Sequence, residues 1–292
     1  MKQSACRMLL VTLGWSALAG PAAGQRLVDD WLIRTGAGPG ALQAGASAAF
    51  WNPAGVGEQR GRGSLMVLEL LAPEATGVDI LAFGGGWRLD ERTTVAAGYQ
   101  HLGVDGIEFT GTTPEGGTSL DVSQDLFAAS AARRLTDRLL VGAAAQYLRS
   151  SEALKEEGQL AIGAGVRLLA ALPLPVTVAG YGYSLRQRVV WGIGAEVAPL
   201  LPLGSWRGSL NIGVNGGQAA RGTSYRGGLS LSWRDVVELG GSLVGEPDAS
   251  QRQWEPVLAG MMRLSRYELG VVREWLPNSF GTVHTFRFGI TF

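Results

Sequence analysis

The sequence predicts an all-β fold, a transmembrane antiparallel β-barrel of about 14 strands with a short N-terminal plug segment. Three observations predict it. Segments of roughly ten residues alternate apolar with polar or small side chains, as membrane-spanning strands do. Glycine accounts for 44 of 292 residues, which disfavours helices because each glycine inside one costs about 1 kcal/mol relative to alanine. Lysine is nearly absent after the first few residues, although a soluble sheet would carry many on its exposed face.

Residues 1–24 have the layout of a secretory signal peptide. Basic Lys2 and Arg7 precede an apolar stretch from 8 to 19, and small residues lead to Gly24, where we expect cleavage. An N-terminal membrane anchor is the alternative, but this stretch is short for a bilayer span. The single cysteine, Cys6, lies here, so we expect the exported chain to contain no disulfide.

The last strand shows the alternation most clearly. Residues 283–292 place Phe286, Phe288, Ile290 and Phe292 on one face and small or polar residues on the other, because strand side chains alternate. A soluble sandwich alternates too, but the small residues of the second face suit a confined lumen better than open water. We expect strands near residues 64–72, 78–89, 92–103, 124–134, 138–149, 157–169, 175–185, 188–198, 205–215, 223–233, 235–245, 252–264, 266–275 and 281–292.

The connections at one end of the predicted barrel are shorter than those at the other end. Tight turns are expected near residues 90–91, 136–137, 170–174, 199–204, 234 and 265, and the longest link is the Gly- and Thr-rich run 104–123. If the tight turns are periplasmic, both termini are periplasmic, as bacterial barrels require. Aromatic residues sort by strand end, which predicts two interfacial belts. The belt beside the tight turns contains Trp87, Trp206, Trp233 and Tyr267, and the other contains Tyr99, Tyr147, Tyr225, Trp254 and Trp275.

Two stretches of the barrel region allow other interpretations. Residues 168–185 are uncharged for long enough to form a membrane helix, but prolines and glycines interrupt them, so we interpret them as two strands and a turn. Arg273 falls on the apolar face of its strand. Either its guanidinium extends to the lipid headgroups, or a β-bulge shifts the register.

Residues 25–62 do not alternate and are expected to form a compact hatch ahead of the barrel at 63–292. The segment is rich in small residues and ends in Asn52-Pro53-Ala54, where Asn-Pro favours a turn. With the preceding Gly-Ala pairs, this motif resembles the N-terminal signature of the PorV/PorQ family and the related FadL-type long-chain fatty-acid transporters. The resemblance implies a 14-stranded outer-membrane barrel with an N-terminal hatch. We favour a structural turn over direct ligand contact for Asn52, Pro53 and Ala54.

The predicted lumen carries charges of both signs on neighbouring strands, which suggests ion pairs across the interior. These residues are Arg167, Glu196, Arg207, Arg226, Glu238, Glu255, Arg263, Glu268, Glu274 and Arg287. They either fill the interior or shape a permeation path, and filling is favoured. No cofactor or metal site is expected, because the only histidines are His101 and His284. A hydrolase using His284 and Ser279 lacks a third partner, so no enzyme is expected.

The expected location is the cell outer membrane, with lipid as the surroundings and without nucleic acid as a partner, since the net charge is zero. Phe288, Ile290 and Phe292 resemble the C-terminal signal read by the barrel assembly machinery. The first functional hypothesis is passage of small hydrophobic compounds through the plugged lumen or a lateral opening. The alternative is a non-enzymatic component of protein secretion or surface attachment like the PorV/PorQ proteins, which acts through secretion-system partners. A third is a structural barrel closed by its own side chains.

Overall fold

The computed structural model describes residues 36–72, 77–109, 118–152, 155–171, 175–185, 188–199, 202–217, 223–245, 254–275 and 281–292. The expected signal peptide, residues 25–35 of the expected hatch and Ser279 lie outside these ranges. Three short 3-10 helices, Gly40–Leu42, Gly45–Phe50 and Pro53–Glu58, precede the sheet. The described part of the chain contains no helix long and apolar enough to cross a membrane.

The strands follow one another around the barrel in chain order. They are β1 Gly63–Leu71, β2 Val78–Arg88, β3 Thr93–Phe109, β4 Thr118–Thr136, β5 Leu139–Glu152, β6 Lys155–Ala171, β7 Pro175–Leu185, β8 Arg188–Val197, β9 Pro202–Leu203, β10 Trp206–Gly217, β11 Thr223–Trp233, β12 Val237–Gly245, β13 Trp254–Leu264, β14 Tyr267–Trp275 and β15 Thr282–Thr291. The two-residue β9 pairs only with the start of β10. The other fourteen form the barrel.

The sheet is closed and antiparallel throughout. Each barrel strand pairs with its neighbours along the chain, and β15 pairs with β1 from Ser64 opposite Thr291 to Leu71 opposite His284. The predicted 14-stranded barrel is therefore confirmed. Closure pairs the backbone groups of every strand on both sides, which removes the exposed edges that lipid could not solvate.

The predicted bounds of the longest loop were partly wrong. Residues 104–123 were expected to form a link, but β3 continues to Phe109 and β4 begins at Thr118. Pairing resumes after a register shift between Val104 and Ile107, because Ile107 and Phe109 find partners across the strand pair in Leu120 and Thr118. The two ends of this run therefore belong to strands, with a β-bulge after Val104.

The start of the first barrel strand and the end of the last one lie side by side, at the end of the barrel that carries the tight turns. The carbonyl of Phe292 accepts hydrogen bonds from the backbone N–H groups of Arg62 and Gly63, each 2.8 Å long. At this end of the barrel, side chains within the turns also bind backbone groups of the turns. Asp90 Oδ1 accepts from the N–H groups of Arg92 and Thr93 at 2.7 Å, which satisfies two donors in the turn.

The outer face is strongly apolar. Ile162, Leu229 and Trp254 expose 65%, 60% and 58% of their surface, although burial is what normally stabilises such side chains. Residues 168–171 end β6 and residues 175–185 form β7, so the interpretation of this stretch as two strands is correct. An apolar band on this scale is stable when hydrocarbon rather than water surrounds it.

Arginines stack on the aromatic rings at both borders of this band. The guanidinium carbon lies 5.6 Å from the ring centre of Trp87 for Arg62, 5.2 Å from Trp233 for Arg234, and 5.1 Å from Tyr267 for Arg266, all beside tight turns. At the other border, Arg273 lies 4.6 Å from the ring of Trp275. The register of β14 is continuous through Arg273, so the arginine stays on the outer face and no bulge occurs.

Candidate functional site in the barrel interior

Residues 36–59, called here the N-terminal segment, pack against the inward faces of the barrel strands. The helix Gly40–Leu42 contacts β7 and β8, the helix Gly45–Phe50 contacts β1 to β4, and the helix Pro53–Glu58 contacts β3 to β6. Only Glu58 is charged in this segment. Its small side chains allow close approach to the wall, and Ala41, Ala48 and Ala54 are fully buried.

Asn52 organises the turn that the sequence singled out. Its Oδ1 accepts from the Ala54 N–H at 3.0 Å, which caps the third helix, while Pro53 takes the first helical position. Its Nδ2 donates to the carbonyls of Ala41 at 2.8 Å and of Val166 in β6 at 3.3 Å. Asn52 is fully buried, so one side chain ties two parts of the segment to the wall.

Two wall glycines make room for this turn. A methyl group at Gly165 would overlap the amide oxygen of Asn52, and one at Gly142 would overlap the backbone of Pro53 and Ala54. Both glycines face inward, on neighbouring strands β5 and β6, where they lie opposite one another. The motif therefore contacts the barrel wall directly through backbone that only glycine leaves accessible.

Wall side chains also bind carbonyls of the segment. Arg167 Nη1 donates to Leu42 O at 2.8 Å, and its Nε lies 2.8 Å from Glu58 Oε1. Arg226 Nη2 donates to Gly36 O at 3.1 Å, and Gln146 Nε2 donates to Phe50 O at 3.1 Å. Both arginines were predicted lumen residues, and both are more than nine-tenths buried. Arg167 thus satisfies a carbonyl at the end of the first short helix, and Arg226 satisfies one that precedes this helix.

One side of the interior is apolar. We call it the apolar sector, and it consists of Met66, Leu68, Ile80, Ala82, Leu102, Leu126, Ala128 and Leu148 on β1 to β5, packed with Ala46 and Phe50 of the segment. Leu68 and Leu102 are essentially inaccessible. We did not predict this sector, but the sequence holds a signal for it, since residues 65–68 of β1 are apolar on both faces.

The opposite side of the interior is charged. We call it the charged sector, and it consists of Glu196, Arg226, Glu238, Glu255, Arg263, Glu268, Glu274 and Arg287 on β8 and β11 to β15. Of the predicted lumen charges, Arg167 lies outside this sector, where it binds the segment. Arg207 has the inward register but lies exposed at the end of β10 beside a tight turn.

Four members of the charged sector form a chain of ion pairs near the tight turns. Arg263 Nη2 lies 3.1 Å from Glu238 Oε2, and Arg263 Nε lies 3.3 Å from Glu268 Oε1. The other oxygen of Glu268 lies 2.9 Å from Arg287 Nη2. This quartet spans β12 to β15 with two charges of each sign. The predicted pairing of opposite charges across neighbouring strands is therefore present here.

A cavity of about 390 Å³ lies between the N-terminal segment and the wall formed by β10 to β15 and β1. Residues 36–39 and 42–46 of the segment line one side of it, and the quartet lines the other. Met66 and Leu68 also line it, so the cavity borders the apolar sector. Among the described residues, no group of three acidic, histidine or cysteine side chains could hold a metal ion.

The closed barrel, its apolar outer band and the arginine-flanked aromatic borders define an outer-membrane β-barrel protein. No family model matches the chain. No curated protein sequence matches it either.

Solved structures match its fold. A TodX mutant described as a monoaromatic hydrocarbon channel is 8% identical, with 85% of this chain and 95% of that chain covered and a TM-score of 0.62. The Ralstonia pickettii toluene transporter TbuX is 12% identical over 88% and 97% of the two chains, with a TM-score of 0.57. A Pseudomonas aeruginosa FadL homologue is 9% identical over 88% and 96%, with a TM-score of 0.55. At these identities, the similarity establishes the fold.

Proposed function

We propose that this barrel passes small hydrophobic compounds across the outer membrane without catalysing a reaction, and that the N-terminal segment acts as its hatch. The observation that carries the proposal is the position of Met66 and Leu68, which belong to the apolar sector and also line the interior cavity. An apolar inner wall is unusual for a water-filled pore, whose lumen is polar. A hydrophobic solute in the cavity would contact these apolar side chains.

Two further features support this proposal. The structural neighbours TbuX and TodX are described as toluene transporters, and the FadL homologue shares the same barrel. Ala46 and Phe50 of the N-terminal segment pack on the apolar sector, so a solute moving along this wall would contact both. Asn52, Pro53 and Ala54 hold the hatch in place in this proposal and need no contact with the solute.

The test is to narrow the interior at Met66. We expect Met66→Trp to reduce uptake of toluene into cells or proteoliposomes, because the larger ring fills the place where apolar sector and cavity meet. Met262→Trp is the matched control, since Met262 lies on the outer face with 38% of its surface exposed. Unchanged toluene uptake by a folded Met66→Trp protein would contradict the proposal.

A role in secretion or surface attachment, as in PorV/PorQ proteins, remains the alternative hypothesis. It predicts partner proteins that co-purify with the barrel and toluene uptake that does not depend on the barrel. Recognition by the barrel assembly machinery is also proposed, through Phe288, Ile290 and Phe292. Phe288 and Ile290 have the outward register of β15, and Phe292 follows that strand, with its ring centre 5.7 Å from that of Trp87.

A further inference from the structure

The outer face of β3 to β5 carries small side chains in the half of the apolar band that lies next to the tight turns. Outward residues of neighbouring strands pair there in two successive rows, and neither row contains a side chain larger than valine. The rows are Val95, Ala131 and Ala143, and then Ala97, Ala129 and Ala145. The next row away from the turns is aromatic and consists of Tyr99, Phe127 and Tyr147. The small rows therefore form a recess below an aromatic border.

This recess is part of an outward-facing groove of about 790 Å³. Leu65, Trp87 and Phe292 form its bulky side. Towards the turns the groove ends near Arg133, an exposed residue two positions after Ala131 on the outward face of β4. The strand between Arg133 and Phe127 is about 20 Å long, which at a tilt of about 40° is about 15 Å of membrane depth. Since a bilayer has about 30 Å of hydrocarbon, the groove has the depth of one leaflet.

The inner face of the same strands shows what small wall residues do in this protein. A methyl group at Gly98 would overlap the ring of Phe50, so this glycine lets the N-terminal segment pack closely. On the outer face, no part of the described chain covers the two small rows. A recess without matching atoms loses dispersion contacts, so an apolar molecule that fills it is stabilised. In a membrane, the flexible apolar molecules beside the barrel are lipid acyl chains.

The turn ends of the same strands are rich in arginine. Residues 60–62, 88–92 and 133–138 contain seven arginines and three acidic side chains, an excess of four positive charges. The guanidinium carbon of Arg62 lies 5.6 Å from the ring centre of Trp87, which lines the groove. Arginine at the border of the apolar band attracts an anionic headgroup and binds phosphate oxygens through several N–H groups.

We propose that this groove binds one anionic phospholipid, with an acyl chain against the two small rows and the phosphate beside Arg62 and Arg133. A second copy of the chain fits less well. A two-fold contact through this face would bring the arginine-rich turns of both copies together, and like charges repel. The inference does not depend on the proposed hydrocarbon passage, because the groove lies on the outer side of the wall.

The first test measures headgroup preference. The full-length protein in detergent is titrated with phosphatidylglycerol or with phosphatidylcholine of the same acyl chains, and bound lipids are counted by native mass spectrometry. We expect the first phosphatidylglycerol to bind about tenfold more tightly than phosphatidylcholine. The double variant Arg62→Gln with Arg133→Gln should lose this preference. The matched control is Arg234→Gln with Arg266→Gln, since these arginines also lie on aromatic rings beside tight turns but away from the groove.

The second test fills the groove. Ala129→Phe places a ring in the second small row, so the affinity for phosphatidylglycerol should fall about tenfold. Ala195→Phe is the matched control, because Ala195 lies on the outer face of β8, opposite Val178 and Ile212 and outside the groove. The folded state of each variant is checked by the mobility shift of unheated barrels in gels.

Three results would overturn the proposal. The first is equal affinity of the wild-type protein for the two lipids, and the second is a folded Ala129→Phe protein that binds phosphatidylglycerol as wild type does. The third is a wild-type dimer that Ala129→Phe converts to monomers, since a second copy would then cover the groove. Loss of the preference in the Arg234→Gln and Arg266→Gln control would also contradict the phosphate site, because any arginine beside the turns would then serve.

Discussion

Removing the side chain of Asn52 should release the turn that anchors the N-terminal segment. In Asn52→Ala, the Ala54 N–H and the Ala41 carbonyl lose hydrogen bonds of 3.0 and 2.8 Å in a fully buried site. Each buried backbone group left without a partner costs about 1–3 kcal/mol. Since water entry relieves part of this cost, we expect the turn to be destabilised by about 3 kcal/mol.

Hydrogen exchange measured by mass spectrometry on the protein in detergent reports this change directly. A loss of about 3 kcal/mol corresponds to a roughly 100-fold faster exchange in a peptide that contains Ala54. Barrel strands should keep their protection, because β1 to β15 retain all their backbone pairs. Asn211→Ala is the matched control, since it removes another buried asparagine whose Oδ1 has no partner among the described residues.

The reasoning would be refuted by Asn52→Ala protein that folds normally and exchanges at Ala54 as slowly as wild type. That result would mean that packing of the segment against the wall, rather than the three hydrogen bonds of Asn52, holds the turn. Equal acceleration in Asn211→Ala would also refute it, because the effect would then be a general loosening of the interior.

Two further predictions concern a wall glycine and a turn carboxylate. Gly165→Ala should accelerate exchange of the Asn52 turn, because the added methyl overlaps the Asn52 amide oxygen, whereas Gly180→Ala, with its nearest atom 3.5 Å away, should not. The pKa of Asp90 is held below its usual range, chiefly by the hydrogen bond from the Arg92 N–H. Its stabilising effect on the turn is thus present above the unfolded-state pKa and is lost as pH falls through the folded pKa. An NMR titration midpoint of Asp90 at or above the usual aspartate value would contradict this.

The prediction of the barrel rested mainly on the alternation of apolar and polar side chains along each strand. A strand buries or exposes side chains with a period of two whatever its partners are, so Phe286, Phe288 and the tight turns could be placed from the sequence. The residues at which strands end were harder to predict from the sequence. The pairing of Ile107 with Leu120 depends on a bulge whose register is set by both strands together, so the run 104–123 resembled a loop.

The candidate site was predicted unevenly. The inward position of the charges on β8 to β15 could be predicted, because the alternation of side chains fixes which residues face the interior, and a charged residue is costly on the lipid-facing side. Their grouping could not, since Arg263 and Glu268 are close in sequence but Arg287 joins them only through the pairing of β14 with β15. Arg167 and Arg226 had the predicted inward register, but their role of binding Leu42 and Gly36 carbonyls depends on where the segment lies.

The sequence by itself determined that the chain forms a closed sheet with lipid on its outside, because the periodicity of apolar residues is a local property of each strand. Only the tertiary structure decided that the apolar sector gathers on β1 to β5 and that most inward charges gather on β8 and β11 to β15. That division depends on which strands become neighbours around the ring and on where the N-terminal segment packs. Both are set by contacts between residues as distant as Asn52 and Val166, which no local pattern encodes.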